Sequence, residues 1–222
     1  MALALFDLDN TLLAGDSDHL WGEYLIAEGI VDAKEYKTRN DQFYHDYQQG
    51  TLDIFAYLSF QAGILAQYDR ATLNHWRRDY LQRMIVPIIA PHTPALLQWH
   101  RQRGDQLLII TATNRFVTTP IAEYLGVDAL LATELEEIDG RFTGQPDGIP
   151  CFREGKVLHL MQWMKQSGLD LADSWFYSDS HNDLPLLGEV AFPVAVDPDA
   201  TLRTTAQEKA WPIISLRTPA AG

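Results

Sequence analysis

Leu3-Ala4-Leu5-Phe6-Asp7-Leu8-Asp9-Asn10-Thr11-Leu12 decides how the rest of this chain is read: an apolar run ends abruptly in two carboxylates spaced one residue apart. A run this short, built of residues that prefer the interior, predicts a buried strand of a parallel sheet. Side chains alternate along a strand, so Asp7 and Asp9 would share a face. Beyond the strand's carboxyl end the chain can curl and bring both acids onto one bound group. Acids so close to apolar neighbours are costly to ionise without a cation or hydrogen-bond donors nearby. A positively charged group is therefore expected at the end of this first strand.

Outward from this stretch the pattern changes. From about residue 16 to 87 strand-like alternation is absent, and apolar residues recur at helical spacing, as in Leu20, Tyr24 and Ala27, then Leu52, Phe55, Ala56 and Leu58. This predicts a helical insert, with Gly29, Gly50 and Gly63 at helix ends and Pro87, Pro91 and Pro94 on the way out. Strands and helices then alternate: helix 96–103, strand 106–111, helix 118–125 and a short strand 129–132. A hairpin is predicted over 134–143 with Asp139-Gly140 at its turn, followed by helix 156–166, strands 175–178 and 190–196, helix 199–209 and an edge strand 212–216. The fold class is α/β: a Rossmann-like parallel sheet with crossover helices and an inserted helical domain. Residues 217–222, short and rich in Pro, Ala and Gly, are predicted to fray.

Ligands of open α/β sheets collect beyond the carboxyl ends of strands. Polar residues end three of the predicted strands: Asp7 and Asp9; Thr111 with Ala112, Thr113 and Asn114; and Asp179 with Asp183. Asp7, Asp9 and Asp179 offer hard oxygen ligands without a His or Cys partner at metal spacing, which suits Mg²⁺ better than zinc. Mg²⁺ commonly shares its shell with substrate phosphate. Thr111, followed closely by a helix, offers a hydroxyl and amide groups to phosphate oxygens, and Lys156 offers a point charge. Each feature has a bland alternative: Asp-x-Asp pairs occur at turns and N-caps, and Lys156 alone reads as a solvated helix-start lysine. Their joint placement favours one site.

Asp7-Leu8-Asp9-Asn10-Thr11, Thr111, Lys156 and Asp179 through Asp183, in this order, resemble the four motifs of the haloacid dehalogenase superfamily of phosphatases. The insert resembles that superfamily's type 1 cap, in the phosphoserine phosphatase branch, subclass IB, with a nearer likeness to bacterial histidinol-phosphate phosphatases. The resemblance implies a catalytic core at 1–14 and 88–222 and a cap at 15–87. It implies that Asp7 is the nucleophile forming an aspartyl-phosphate and that Asp9 is general acid, then general base. Asp7, the main-chain carbonyl of Asp9 and Asp179 would hold Mg²⁺, with Asp183 supporting the metal set and helping to position Lys156. Thr111 and Lys156 would stabilise the transferring phosphoryl group. One departure is Ser178, where many relatives have Gly before the fourth-motif aspartate.

In phosphoserine phosphatases an acid shortly after the first motif takes the substrate amine, and Asp16 stands there, with Ser17 beside it. The segment 50–61, roughly matched to the one bearing the carboxylate-binding arginine, contains no arginine, which disfavours phosphoserine; Arg39 is the cap arginine that would have to replace it. Asp16, Ser17, Thr111, Ala112 and Lys156 are thus the expected substrate contacts. The expected substrate is a small amine-bearing phosphate ester, first of all histidinol phosphate. Phosphoserine, phosphoethanolamine and phosphocholine are the alternatives, as are a phosphomutase and, in another class, a non-catalytic phosphometabolite-binding protein. His181 is equally a packing residue, and the cap aromatics are mostly core.

Composition agrees. With 222 residues, 46% of them hydrophobic and 21% charged, the chain can bury one good core, and disorder is excluded. A net charge of −13, from 17 Lys+Arg against 30 Asp+Glu, argues against nucleic acid or an anionic membrane as partner. The single cysteine, Cys151, rules out a disulfide framework. With no basic leader and no apolar run that spans a bilayer, a cytoplasmic protein is expected, a monomer or homodimer.

Overall fold

Residues Leu3–Phe6 (β1) are fully shielded from solvent on both faces, as a central strand between two helical layers must be. The structure, a computed structural model, describes residues 2–217; the tail predicted to fray lies, beyond Arg217, outside the described residues. β2 (Gln106–Asn114), β3 (Ala129–Ile138), β4 (Arg141–Asp147), β5 (Trp175–Ser178), β6 (Phe192–Val196) and β7 (Ile213–Ile214) complete one sheet in the order β4-β3-β2-β1-β5-β6-β7. All pairings are parallel except β3 with β4. Phe6 is level with Ile109 on one side and Tyr177 on the other, so the carboxyl ends of β1, β2 and β5 open at the same height. The chain adds strands to opposite sides of β1, which makes its carboxyl end the crevice where α/β sheets bind ligands.

Alternation along β1 divides the core. Ala4 and Phe6 pack with Leu97 of α5 (Thr93–Arg103) and Val117 and Ile121 of α6 (Arg115–Leu125). Leu3 and Leu5 pack with Leu160 of α7 (Glu154–Ser167), Leu186 of α8 (Leu184–Leu187) and Leu202 of α9 (Ala200–Glu208). Some element bounds differ from the sequence expectation for local reasons. α5 starts three residues early because Pro94 fits the first helical turn, where no amide is needed. β2 runs on to Asn114, whose side chain accepts the Val117 amide at 3.1 Å and so starts α6 at Arg115. The short strand and the hairpin arm are one strand, β3, which pairs with β2 first and β4 later. Asp139 and Gly140, with φ of 51° and 76°, make the tight hairpin turn.

Between β1 and β2 lie α1 (Ser17–Ala27), α2 (Ala33–Gln48), α3 (Ile54–Leu65) and α4 (Arg70–Tyr80). Each begins behind an aspartate, Asp16, Asp32, Asp53 or Asp69, whose carboxylate accepts a first-turn amide at 2.8–3.1 Å. Trp21, Tyr24 and Tyr80 form their buried aromatic centre. Gly63 does not end a helix; it lies inside α3, where the β3–β4 hairpin leans on it at Gly144. Arg70 of α4 ion-pairs with Glu137 of the hairpin at 3.0 Å and covers the Phe142 ring at 4.5 Å. The hairpin therefore ties the inserted helices to the sheet. No helix among the described residues is long and apolar enough to cross a membrane.

Candidate active site

The Asp7 amide donates to the Tyr177 carbonyl at 2.9 Å, prolonging the ladder of β1 by one rung. The chain then turns through residues 8–12 in a wide loop in which Asp9 keeps an extended ψ of 132° and Asn10 adopts φ 58°. Asparagine tolerates that left-handed conformation better than most residues. The turn gives the two acids different partners. Asp7 Oδ1 receives Lys156 Nζ at 2.7 Å, and its Oδ2 lies 3.3 Å from Thr11 Oγ1. Asp9 Oδ1 accepts the Ser17 amide at 2.6 Å, and its Oδ2 accepts Thr113 Oγ1 at 2.8 Å and Thr111 Oγ1 at 3.4 Å. The ends of β1 and β2 and the start of α1 thus converge on Asp9.

Lys156 reaches this point because Gly155 lets the start of α7 press against Pro150; a Cβ there would lie 2.0 Å from the Pro150 carbonyl oxygen. Only 3% exposed, Lys156 Nζ bridges Asp7 and Asp183, the latter at 2.8 Å. Burial works against its charge, but the Asp183 and Asp7 carboxylates more than offset it, and its pKa is held above the ordinary lysine value. Ser178 Oγ donates to Asp183 at 2.7 Å, so the serine that departs from the resembled pattern holds an acid in place. Thr11 Oγ1 lies 3.1 Å from Asp179 Oδ1 and accepts the Asp179 amide at 3.1 Å. One hydroxyl therefore sits within reach of both the Asp7 and Asp179 carboxylates.

Negative charge is in excess here. Burial first, then Asp183 and Asp9, push the Asp7 carboxyl up to about 7 despite Lys156. Burial and Asp16 push Asp9 up to about 6, against the opposing hydrogen bonds from Ser17 and Thr113. Burial, Asp7 and Asp183 raise Asp179 well above the usual range. A hard divalent cation fits this oxygen-only set, because it would relieve the repulsion that Lys156 alone leaves.

Above Asp7 and Asp9 lies a cavity between the sheet and the inserted helices. Asp16 and Asp18 line it, as do Phe43, Tyr44, Tyr47 and Tyr57, with Thr111, Ala112 and Thr113 at its floor. No lysine or arginine is among these lining residues. Arg39 is elsewhere, stacked over Phe60 at 4.4 Å. Asp16 is partly committed: its Oδ1 caps α1, accepting the Asp18 and His19 amides.

One expectation needs correction. Ser17 is not a cavity-lining residue: it is fully buried behind Asp9, its amide holding that carboxylate and its carbonyl accepting the Tyr80 hydroxyl. Asp183, expected to support the metal set and to help position Lys156, accepts from Lys156 Nζ and Ser178 Oγ. His181 is anchored, amide and Nδ1 both, on Asp199. Sequence reasoning missed Asp18 and the grip of Thr113 on Asp9. Among the described residues His19, Glu23 and Asp41 also come together, but the Lys37 ammonium already stands 3.0 Å from Glu23 and 3.3 Å from Asp41.

Residues 4–188 match the family of haloacid dehalogenase-like hydrolases. A protein of Neisseria meningitidis serogroup C named histidinol-phosphatase is 46% identical over 219 residues, 97% of this chain and 99% of its own length. The crystal structure of a protein of unknown function from Bordetella pertussis Tohama I has a TM-score of 0.91 and 42% identity, covering 97% of this chain and 98% of that one. A substrate-bound phosphoserine phosphatase shares the fold, with a TM-score of 0.71 at 19% identity over 96% of this chain and 92% of its own. With its match reaching from the first strand past Asp183, the chain belongs to the haloacid dehalogenase-like hydrolases.

Proposed function

We propose that this phosphatase hydrolyses a small amine-bearing phosphate monoester, histidinol phosphate first among them, through an aspartyl-phosphate on Asp7. The observation that carries the reading is the cavity over Asp7 and Asp9, walled by acids and aromatic rings and lined by no lysine or arginine; its one histidine, His19, has its pKa lowered by burial. A substrate carboxylate would find no lysine or arginine among the lining residues, which disfavours phosphoserine; a cationic nitrogen would meet Asp16, Asp18 and aromatic rings. The name of the Neisseria relative supports the same choice.

An Asp7 oxygen attacks phosphorus and the ester P–O bond breaks as Asp9 gives its proton to the departing alkoxide. Water then attacks the phosphoryl group, Asp9 takes the water's proton, and the bond to Asp7 breaks to free phosphate. Asp9 suits both acts, since Ser17 and Thr113 fix its orientation while its pKa of about 6 lets it exchange a proton near neutrality. Lys156 and the Thr111 hydroxyl supply positive charge and a donor to the transferring group, and Asp183 holds Lys156. Asp7, Asp179 and the main-chain carbonyl of Asp9 would hold Mg²⁺, which when bound favours ionised Asp7 and offsets phosphoryl charge. The division of the chain belongs to the same proposal: core at 1–14 and 88–222, cap at 15–87, with the substrate between them.

Phosphate release should be measured with Mg²⁺ from histidinol phosphate, phosphoserine, phosphoethanolamine and phosphocholine. Clear preference for phosphoserine overturns the substrate argument; an isomerised product in place of inorganic phosphate makes the protein a mutase, and binding without turnover makes it a sensor.

A further inference from the structure

Asp18 is 5% exposed, lines the cavity, and its Oδ1 has no hydrogen-bond partner among the described residues. A buried carboxylate oxygen left unpaired is a costly arrangement and persists where a donor arrives from outside. The surroundings are built to keep it an acceptor. Tyr36 Oη donates to Gln61 Oε1 at 3.1 Å, and Gln61 Nε2 donates to Tyr57 Oη at 2.9 Å, which leaves the Tyr57 proton for Asp18. Both donors in this relay point the same way, toward Tyr57, whose hydroxyl acts on Asp18, and Tyr36 and Gln61 are themselves buried. Asp16, by contrast, spends one oxygen on the helix start.

We propose that Asp18 is the specificity-determining residue of this site, taking a hydrogen bond from an N–H-bearing cation of the substrate's alcohol portion, a protonated amine or imidazolium, and rejecting a quaternary ammonium. The inference rests on the phosphatase reading above and deepens it. Tyr57 and Phe43 offer ring faces that any cation can use, but only an N–H donor satisfies Oδ1. The groups facing Asp18 include the carboxylates of Asp16 and Asp9, which add attraction for a cation and, with burial, hold the free acid's pKa well up.

The test compares kcat/KM for histidinol phosphate, phosphoethanolamine and phosphocholine, each divided by that for uncharged-alcohol p-nitrophenyl phosphate, in wild type, Asp18→Asn and Asp18→Ala. Loss of a charge-assisted hydrogen bond should lower the histidinol phosphate ratio by about 50-fold in Asp18→Asn. Wild type should prefer phosphoethanolamine to phosphocholine by at least about tenfold, and the variant should lose most of that preference. Asp18→Asn should melt no lower than wild type, with its advantage growing from pH 5 to pH 8, because ionisation of a buried acid of raised pKa destabilises the fold as pH rises. A ratio changed less than about threefold, or phosphocholine used as well as phosphoethanolamine, overturns the assignment of Asp18. If wild type releases phosphate from no ester, the phosphatase reading fails instead. Calorimetry with free histidinol then still decides Asp18, expected to bind at least about tenfold more weakly to Asp18→Asn and refuted by equal binding.

Discussion

Replacing Lys156 by methionine keeps most of the buried aliphatic stem and removes the one cation that lies between Asp7 Oδ1, at 2.7 Å, and Asp183, at 2.8 Å. The three side chains are 2–5% exposed, so water cannot replace the ammonium. Breaking a buried ion pair by removing one partner costs about 3–5 kcal/mol. For a chain of this size that is a fall in Tm of roughly 6–20 °C. The sign of the pH dependence is the sharper test. Without Lys156 the carboxyl pKa of Asp7, already raised by burial, rises further above its unfolded value. Stability from a group of raised pKa is present below the unfolded pKa and lost as pH rises through the folded one. The Lys156→Met deficit should therefore shrink on going from pH 8 to pH 5, by up to about 1.4 kcal/mol per pH unit as Asp7 gains its proton. Adding Asp183→Asn should recover part of the loss at pH 8. Urea unfolding in EDTA, at pH 5, 6, 7 and 8, reads all of this. A variant as stable as wild type at pH 8, or a deficit equal at both ends of the range, would refute the view that Lys156 neutralises this acidic cluster.

Asp7→Asn should abolish phosphate release while leaving the fold intact by circular dichroism, and Asp9→Asn should lower kcat roughly 10²–10⁴-fold while phosphate still binds; comparable turnover in either undoes the assigned roles. Chelation by EDTA should stop turnover and Mg²⁺ should restore it, with activity in EDTA counting against a divalent ion. Arg153 links the inserted helices to the loop after β5, donating to the Gly50 carbonyl between α2 and α3 and, at 3.0 Å, to Asn182 Oδ1. Arg153→Ala should raise KM several-fold and speed proteolysis of the inserted helices, as expected for loss of about 1–3 kcal/mol of hydrogen bonding; unchanged proteolysis would deny the link. His100, fully buried, donates from Nδ1 to Asp105 at 2.8 Å and accepts the Tyr177 hydroxyl at Nε2, 3.0 Å away. Burial lowers its pKa, so the unfolded chain takes up the proton first and stability should decline as pH falls below about 6.5. His100→Leu should remove that decline and cost roughly 1–3 kcal/mol at pH 8, and a variant with an unaltered pH profile would show that another group is responsible.

The strands were legible where burial was: Leu3–Phe6, Trp175–Ser178 and Gln106–Asn114 carry apolar runs that only an interior strand explains. Their bounds were less so. The starts of all four inserted helices were marked by Asp16, Asp32, Asp53 and Asp69, a capping signal that the glycines obscured; Gly63 answers to a neighbouring hairpin, and nothing local reveals that. The motif acids were legible because their chemistry requires particular residue types at fixed places along strand ends. Their individual partners were not, since hydrogen-bond direction depends on groups distant in sequence, as when Thr113 and Ser17 divide the oxygens of Asp9.

By itself the sequence determined the order of strands and helices, the acids beyond β1 and the absence of a basic partner in segment 50–61, all of which depend on local pattern and composition. Packing in three dimensions alone settled that Ser178 holds Asp183, that Ser17 stands behind Asp9, and that Asp18 faces the cavity with an unpaired oxygen. Those outcomes come from the packing of α1 and α7 against the sheet, where burial and contacts made over long stretches of chain choose each side chain's partner.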